Sequence, residues 1–440
     1  MSVLTQERDS GDGMERSETD WIGVQSPESP NSRVKVLLTD TNRWGLSARL
    51  AVALREVGCS VSAICPFPNH PLSRTRAVDR LFRYSSLHPR TSILNAIEQA
   101  CPDIVVPTCD RSAAHLHELG VFAAQQSGAA RSVANLIERS MGSAASRAIV
   151  SSRYQLLSMA GQAGLRVPDT QPLRSNADLQ DWSAQERFPW VIKADGTGGG
   201  RGVRVVHTVQ EMDGAFAQLR QAPRISKALK RAVVNRDSFW LRPWWKGERP
   251  AIIAQAYVAG RPANCAVLSW EGEVRAIICV EVLQSDGLTG PASVVRVIRN
   301  AEMTHAAETI AARLKLSGFF GLDFVLEEGS NAAFLVEMNP RATPPCYLYP
   351  DLERNLPAAL WSALTHTPPP PLSPIVSKPK IAYFPPRGMA RQALPADCQI
   401  DEPSGEPELV SELLHPFPDR TLLFKLTHFL TRDRNVGEGD

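Results

Sequence analysis

The stretch VIKADGTGGGRGVRVV, residues 191–206, sets the tightest limit on what this chain can fold into. An apolar run ends at Lys193, five glycines lie within the next nine residues, and an alternating apolar pattern resumes at Val203. Both flanks read as strands, so the loop is a hairpin and does not open a helix. That excludes a phosphate loop of the GxxxxGK[ST] kind, which runs from strand into helix and carries its lysine at the end. A protein-kinase loop is excluded too, because there the lysine follows the glycines and HRD and DFG motifs come later. Glycines 198, 199 and 200 leave the backbone free to bend, and the amide groups of such a flap can close over a polyphosphate. Lys193, on the rigid strand, then supplies a compact positive charge.

A second stretch narrows the chemistry. GFFGLDFVLEEGSNAAFLVEMNPRATP, residues 318–344, reads as two strands around the turn EEGSN. A turn symmetric about Ser330 puts Asp323 opposite Glu337, with Cβ atoms about 5 Å apart. The period of two along a strand then places Glu337, Asn339 and Arg341 on that same face. Two adjacent carboxylates repel each other unless a cation lies between them, and magnesium takes such oxygen donors together with phosphate oxygens.

Elsewhere the pattern is that of an ordinary globular chain. A net charge of +2, with 21% charged and 43% hydrophobic residues, gives no global attraction to nucleic acid or to a membrane surface. The eight cysteines are scattered without a CxxC pair, as expected of reduced thiols in the cytoplasm. Residues 1–31 hold seven acids and two bases among Ser, Gly and Pro, and are expected to be a disordered tail. From Val34 the chain reads strand, helix, strand, then a further helix and strand, which predicts a parallel α/β domain over residues 32–130. Asp40 and Asp110 fall just past strand ends, where open α/β sheets bind ligands and where an acid can equally cap a helix. Residues 224–249 carry eight bases, two acids and three tryptophans. A nucleic-acid surface is one reading; an excursion whose rings pack on the domain is preferred, since the rest of the chain shows no basic bias. After residue 366 a proline-rich linker is expected over 367–379, followed by a C-terminal appendage, 380–440.

In that order, KADGTGGGRGVRVV, AQAYVAGRPANCAV and GLDFVL with FLVEMNPR resemble the ATP-grasp superfamily of ATP-dependent carboxylate ligases. The resemblance implies a pre-ATP-grasp-like α/β domain followed by an ATP-grasp module of two α+β subdomains, here residues 131–366. It implies ATP contacts from Arg153, Lys193 and the flap glycines Gly198, Gly199 and Gly200. The segment Gln255, Ala256, Tyr257, Val258 becomes the hinge that lines adenine. Asp323, Glu337 and Asn339 become the holders of magnesium, or of manganese in its place. Arg341 would face the transferred phosphoryl group or the acceptor carboxylate, a catalytic role shared with Lys193. Arg153 stands where the family usually has lysine, and Gln255 where it usually has glutamate. Asn264 is the nearest polar candidate for the ribose.

The activity implied is phosphorylation of a carboxylate by ATP, then capture of the acyl phosphate by an amine, with ADP and phosphate released. A carbonate-phosphorylating enzyme of the carboxylase or carbamoyl-phosphate type and a non-catalytic ATP-binding regulator are the alternatives. Arg296, in the stretch VEVLQSDGLTGPASVVRVI, is read either as a ligand for an acceptor carboxylate or as a surface arginine on a strand. The expected partners are a small-molecule carboxylate and amine and a second copy of the chain, with no nucleic acid and no membrane.

Overall fold

The computed structural model describes residues 33–66, 70–185, 187–195, 202–220, 250–285, 290–386 and 394–415. The expected tail, the flap glycines Gly198, Gly199 and Gly200, and the basic, tryptophan-bearing stretch 224–249 lie outside the described residues.

The first unit runs β1 (Lys35–Thr39), α1 (Leu46–Glu56), β2 (Ser60–Cys65), β3 (Arg80–Arg83), α2 (Pro89–Ala100), β4 (Ile104–Pro107), α3 (Asp110–Ala124) and α4 (Ala129–Met141). Its four strands are all parallel in the order β3-β2-β1-β4. The apolar runs VLL and IVVP are buried because helices cover both faces of such a sheet. Strand order reverses between β1 and β4, so a crevice opens past Thr39 and Pro107.

Short helix α5 (Arg147–Val150) leads to α6 (Arg153–Gln162), whose N-cap Ser152 accepts from Gln155 N. A small antiparallel sheet follows, formed by β5 (Thr170–Leu173), β6 (Trp190–Ala194), β7 (Val203–Val206) and, later, β8 (Ile252–Ala256), in the order β5-β8-β6-β7. Helices α7 (Asn176–Gln185) and α8 (Val209–Arg220) cover one of its faces around Trp182, Trp190, Ile192 and Phe216.

From β8 the chain crosses at Tyr257 and Val258 into a larger sheet. Its strands are β9 (Gly260–Trp270), β10 (Glu273–Ser285), β11 (Ala292–Ile298), β12 (Gly318–Glu327) and β13 (Ala333–Asn339). Helix α9 (Ala301–Leu314) packs on one face, burying Met303, Ala307 and Ile310 with Leu322, Phe324 and Leu335. The other face, through Ala266, Leu268, Ile278 and Phe319, shares a core with β1, α1 and α10 (Leu356–Thr365) of the chain. The parallel unit is therefore built onto the large sheet, not strung beside it.

The segment beyond the proline-rich run continues this sheet. Strand β14 (Lys380–Tyr383) pairs with β11, and β15 (Cys398–Asp401) pairs with β14, completing the order β13-β12-β9-β10-β11-β14-β15. Helix α11 (Pro407–Leu414) then packs Leu413 against Gly45. Asp401 accepts from Tyr347 Oη at 2.8 Å and forms a buried ion pair with Arg49, which ties β15 to α1. Among the described residues no helix is long and apolar enough to cross a membrane.

Candidate active site

The glycine loop does join two strands, since β6 and β7 pair antiparallel from Trp190↔Val206 to Lys193↔Val203. On β6 the side chains of Trp190, Ile192 and Ala194 enter the core beneath α7 and α8. Lys193 takes the alternate face, directed away from that core and toward the large sheet. Its cross-strand neighbour on β8 is Ile253, and Val191 is paired with Gln255, so Gln255 shares the lysine's face. Gln255 is buried and donates from Nε2 to Thr170 Oγ1 at 3.2 Å. Tyr257 is exposed, and Ala256 N is held by Asp169 O at 2.8 Å.

The acidic hairpin closes the opposite side. Asp323 pairs directly with Glu337, and Gly321 with Asn339. Leu322, Phe324, Leu335 and Met338 point into the core under α9, which leaves Asp323, Glu337 and Asn339 together on the other face. The pairing is reached through a bulge: Phe324 pairs with Leu335, so Val336 is an extra residue on β13. Its carbonyl accepts from Lys193 Nζ at 3.3 Å, joining the two sheets across the site.

Arginines bracket the acids. Arg153, in the first turn of α6, donates to Glu337 Oε1 at 2.5 Å, to Ala194 O at 2.7 Å and to Asp195 Oδ1 at 3.1 Å. Arg341 donates from Nη2 to Asn339 Oδ1 at 3.2 Å, and Asn339 Nδ2 donates to Asp323 Oδ2 at 2.9 Å. Arg341 Nε reaches Asp110 Oδ1 at 2.7 Å, and its guanidinium lies 5.6 Å from the Trp44 ring centre. Sequence reasoning had marked Asp110 without a partner and had not singled out Trp44, Asp195 or the bulge at Val336.

Burial and like charge make this cluster strained electrostatically. Burial, with the neighbouring Glu337, pushes the Asp323 carboxyl up to about 6, against the pull of Asn339, Arg341 and Lys193. Burial pushes Lys193 down to about 8 although Glu337 and Asp323 favour its charged form. Two carboxylates and an amide oxygen are the hard donors that magnesium takes alongside phosphate oxygens, so the residues fit such an ion. Among the described residues no group of three or more His, Cys, Asp or Glu is placed to hold a metal by protein ligands alone.

Asn264 stands beside Asp323 in the register, with a buried Oδ1 that meets no donor among the described residues. Arg296 is not brought into this group. It pairs with Glu281 on β10, donating from Nε at 3.1 Å and Nη2 at 2.5 Å, and Glu281 is paired with Ala263 of the α9-side core. Arg296 therefore lies on the sheet face opposite Asp323, where strand parity keeps it from the hairpin acids.

Comparison with known proteins agrees with this architecture. Residues 150–345 match the family model of an ATP-grasp domain. No curated protein matches the sequence at a significant level. Among solved structures the chain is similar to an N5-carboxyaminoimidazole synthase of Aspergillus clavatus in complex with ADP and 5-aminoimidazole ribonucleotide, at 16% identity and a TM-score of 0.54 over 76% of this chain and 77% of that one. An N5-carboxyaminoimidazole ribonucleotide synthetase solved as its ADP complex gives 15%, 0.52, 77% and 78% in the same order. An L-amino acid ligase of Bacillus licheniformis gives 16%, 0.50, 77% and 75%.

Proposed function

With an ATP-grasp domain across residues 150–345 as premise, we propose that the protein is an ADP-forming ligase that joins a small carboxylate to an amine. The observation that carries the reading is Asp323 set opposite Glu337 on one sheet face, between Lys193 on one side and Arg341 on the other. In the reaction a carboxylate oxygen attacks the γ-phosphorus of ATP, the bond to the β–γ bridging oxygen breaks, and ADP departs with that electron pair. The amine nitrogen then attacks the acyl carbon, inorganic phosphate leaves, and the nitrogen loses a proton. No Ser-His-Asp set is needed, because phosphoryl transfer depends on positioning and charge neutralisation.

The residues divide that work. Lys193 and Arg153 face the phosphates, and the hinge from Gln255 to Val258 takes adenine. Asp323, Glu337 and Asn339 would hold magnesium or manganese, which would supply charge neutralisation to the phosphate oxygens. Arg341 steadies the charge that develops on the transferred group. The role expected of Gly198, Gly199 and Gly200 over the phosphates falls outside the described residues. The unpaired cysteines suit a reducing compartment such as the cytoplasm.

The test is titration of ATP with magnesium by calorimetry, followed by ADP release with mixed carboxylates and amines, with and without bicarbonate. Saturable ATP binding and ADP release that needs a carboxylate are expected. Release that follows bicarbonate alone moves the protein to the carbonate-phosphorylating class, and binding without release under any mixture makes it a regulator.

A further inference from the structure

The acceptor end of the site carries a charge pattern that selects a substrate class. The crevice between β1 and β4 meets the end of the acidic hairpin, where Ala342 N donates to Pro107 O at 3.0 Å. Arg341 projects into this corner, with its side chain only 11% exposed. Three of its N–H groups are committed: Nε to Asp110, one on Nη1 to Ala342 O at 3.1 Å, and one on Nη2 to Asn339. A guanidinium has five, so two meet no acceptor among the described residues. Asp110, in contrast, has a side chain 55% exposed, and its Oδ2 meets no donor among the described residues.

The corner therefore presents one fixed cation and one accessible carboxylate oxygen side by side. A dicarboxylate would bring a second negative charge against Asp110. A polyamine would bring positive charge against Arg341. An acid without an amino group would satisfy the arginine and leave Asp110 unmatched. A carboxylate with an ammonium group on the adjacent carbon satisfies both. We infer that the carboxylate substrate is a free α-amino acid in its zwitterionic form, its carboxylate on Arg341 and its ammonium on Asp110 Oδ2. This rests on the ligase reading of the same site. It also explains the orientation of the reacting group: Arg341 is linked through Asn339 to Asp323, so the bound carboxylate is held on the side from which the phosphoryl group arrives.

The experiment uses the full chain with ATP, magnesium and hydroxylamine. An acyl phosphate is trapped by hydroxylamine as a hydroxamate, with phosphate released, so the amine substrate need not be known. The proteinogenic amino acids are compared with their des-amino counterparts, such as propionate for alanine, and with bicarbonate, while ATP binding is followed separately by calorimetry. At least one amino acid should give hydroxamate, with its des-amino counterpart at least about tenfold poorer in kcat/KM, since losing a charge-assisted hydrogen bond weakens recognition by about ten- to a hundredfold. Asp110→Asn should raise KM for the amino acid by a similar factor and leave ATP affinity unchanged. Asp110→Glu, which keeps the charge, should restore part of the preference for the amino group. The inference is overturned if des-amino acids or bicarbonate serve as well as amino acids, if Asp110→Asn leaves the preference intact, or if ATP binds and no amino acid yields hydroxamate. Absence of ATP binding would instead remove the ligase reading beneath it.

Discussion

Lys193 Nζ donates to the carbonyl of Val336 at 3.3 Å, so the hydrogen bond of that ammonium to the hairpin among the described residues goes to the residue that does not fit its ladder. The bulge sits where the Val336 carbonyl faces the small sheet. It also leaves the lysine beside Glu337 without bonding it directly, as the proposed role of that ammonium toward phosphate requires.

Lys193→Met therefore tests charge with little change of volume. The methionine fills much the same space, while the cation proposed to face the phosphates is lost. ATP affinity should fall about ten- to a hundredfold, the worth of a charge-assisted hydrogen bond. Adenosine, which has no phosphates, should bind as it does to the wild type. Calorimetric titration of both ligands, with circular dichroism to check the fold, separates the outcomes. Equal losses for the two would mean that Lys193 supports the domain and not the phosphates.

The frame of this site was legible because it rests on local pattern. Apolar alternation on both sides of the glycines announces the β6–β7 hairpin wherever the rest of the chain goes. The Asp323–Glu337 pairing was also anticipated, yet for an incomplete reason. The turn sets Leu326 against Ala333, one step away from symmetry about Ser330, and the extra residue Val336 restores the expected pair. The sequence holds the trace of that bulge: core residues fall at 333 and 335 and then at 338, a spacing of three where a regular strand allows two. Arg296 and Asp110 were not legible in the same way. Which face Arg296 takes depends on the order of strands in the sheet, and the partner of Asp110 lies 231 residues along the chain.

Strand β15 should prove integral to the fold. Asp401 is buried with Arg49 and Tyr347, so Asp401→Ala strands a buried guanidinium and a phenol. Breaking one partner of a buried pair costs about 3–5 kcal/mol. Urea unfolding should show a loss of that size in one transition. A loss below about 1 kcal/mol would mean that β15 is only loosely attached to the large sheet.

Gly318 marks where the first unit meets β12. Its φ is +78°, and a Cβ there would stand 2.2 Å from Ser140 O at the end of α4. Gly329 has a φ of +86° but open space around it. Alanine at either site carries left-handed backbone strain of about 1–3 kcal/mol, and only at 318 does a backbone clash add to it. Gly318→Ala should thus be clearly the more destabilising in parallel urea melts. Equal midpoints would show that α4 and β12 can part at no cost.

Stability in mild acid should depend on His117. Both of its ring nitrogens are buried without a hydrogen-bond partner among the described residues, and burial, with Arg147 nearby, pushes its pKa from 6.5 down to about 4. Between those values the unfolded chain binds a proton that the folded chain refuses, so stability falls as pH drops from 6.5 toward 4 and levels off below. The slope from this one group is at most about 1.36 kcal/mol per pH unit, and residual solvent contact reduces it. Arg147 donates to His117 O at 3.2 Å, and Glu138 lies beside that guanidinium. His117→Gln removes the titrating group while keeping a polar side chain of similar length. Urea midpoints taken at intervals from pH 7 to pH 4 should fall less steeply for the variant than for the wild type. Parallel curves would mean that the histidine protonates as freely in the folded protein as in the unfolded one, and that α3 opens there to let water in.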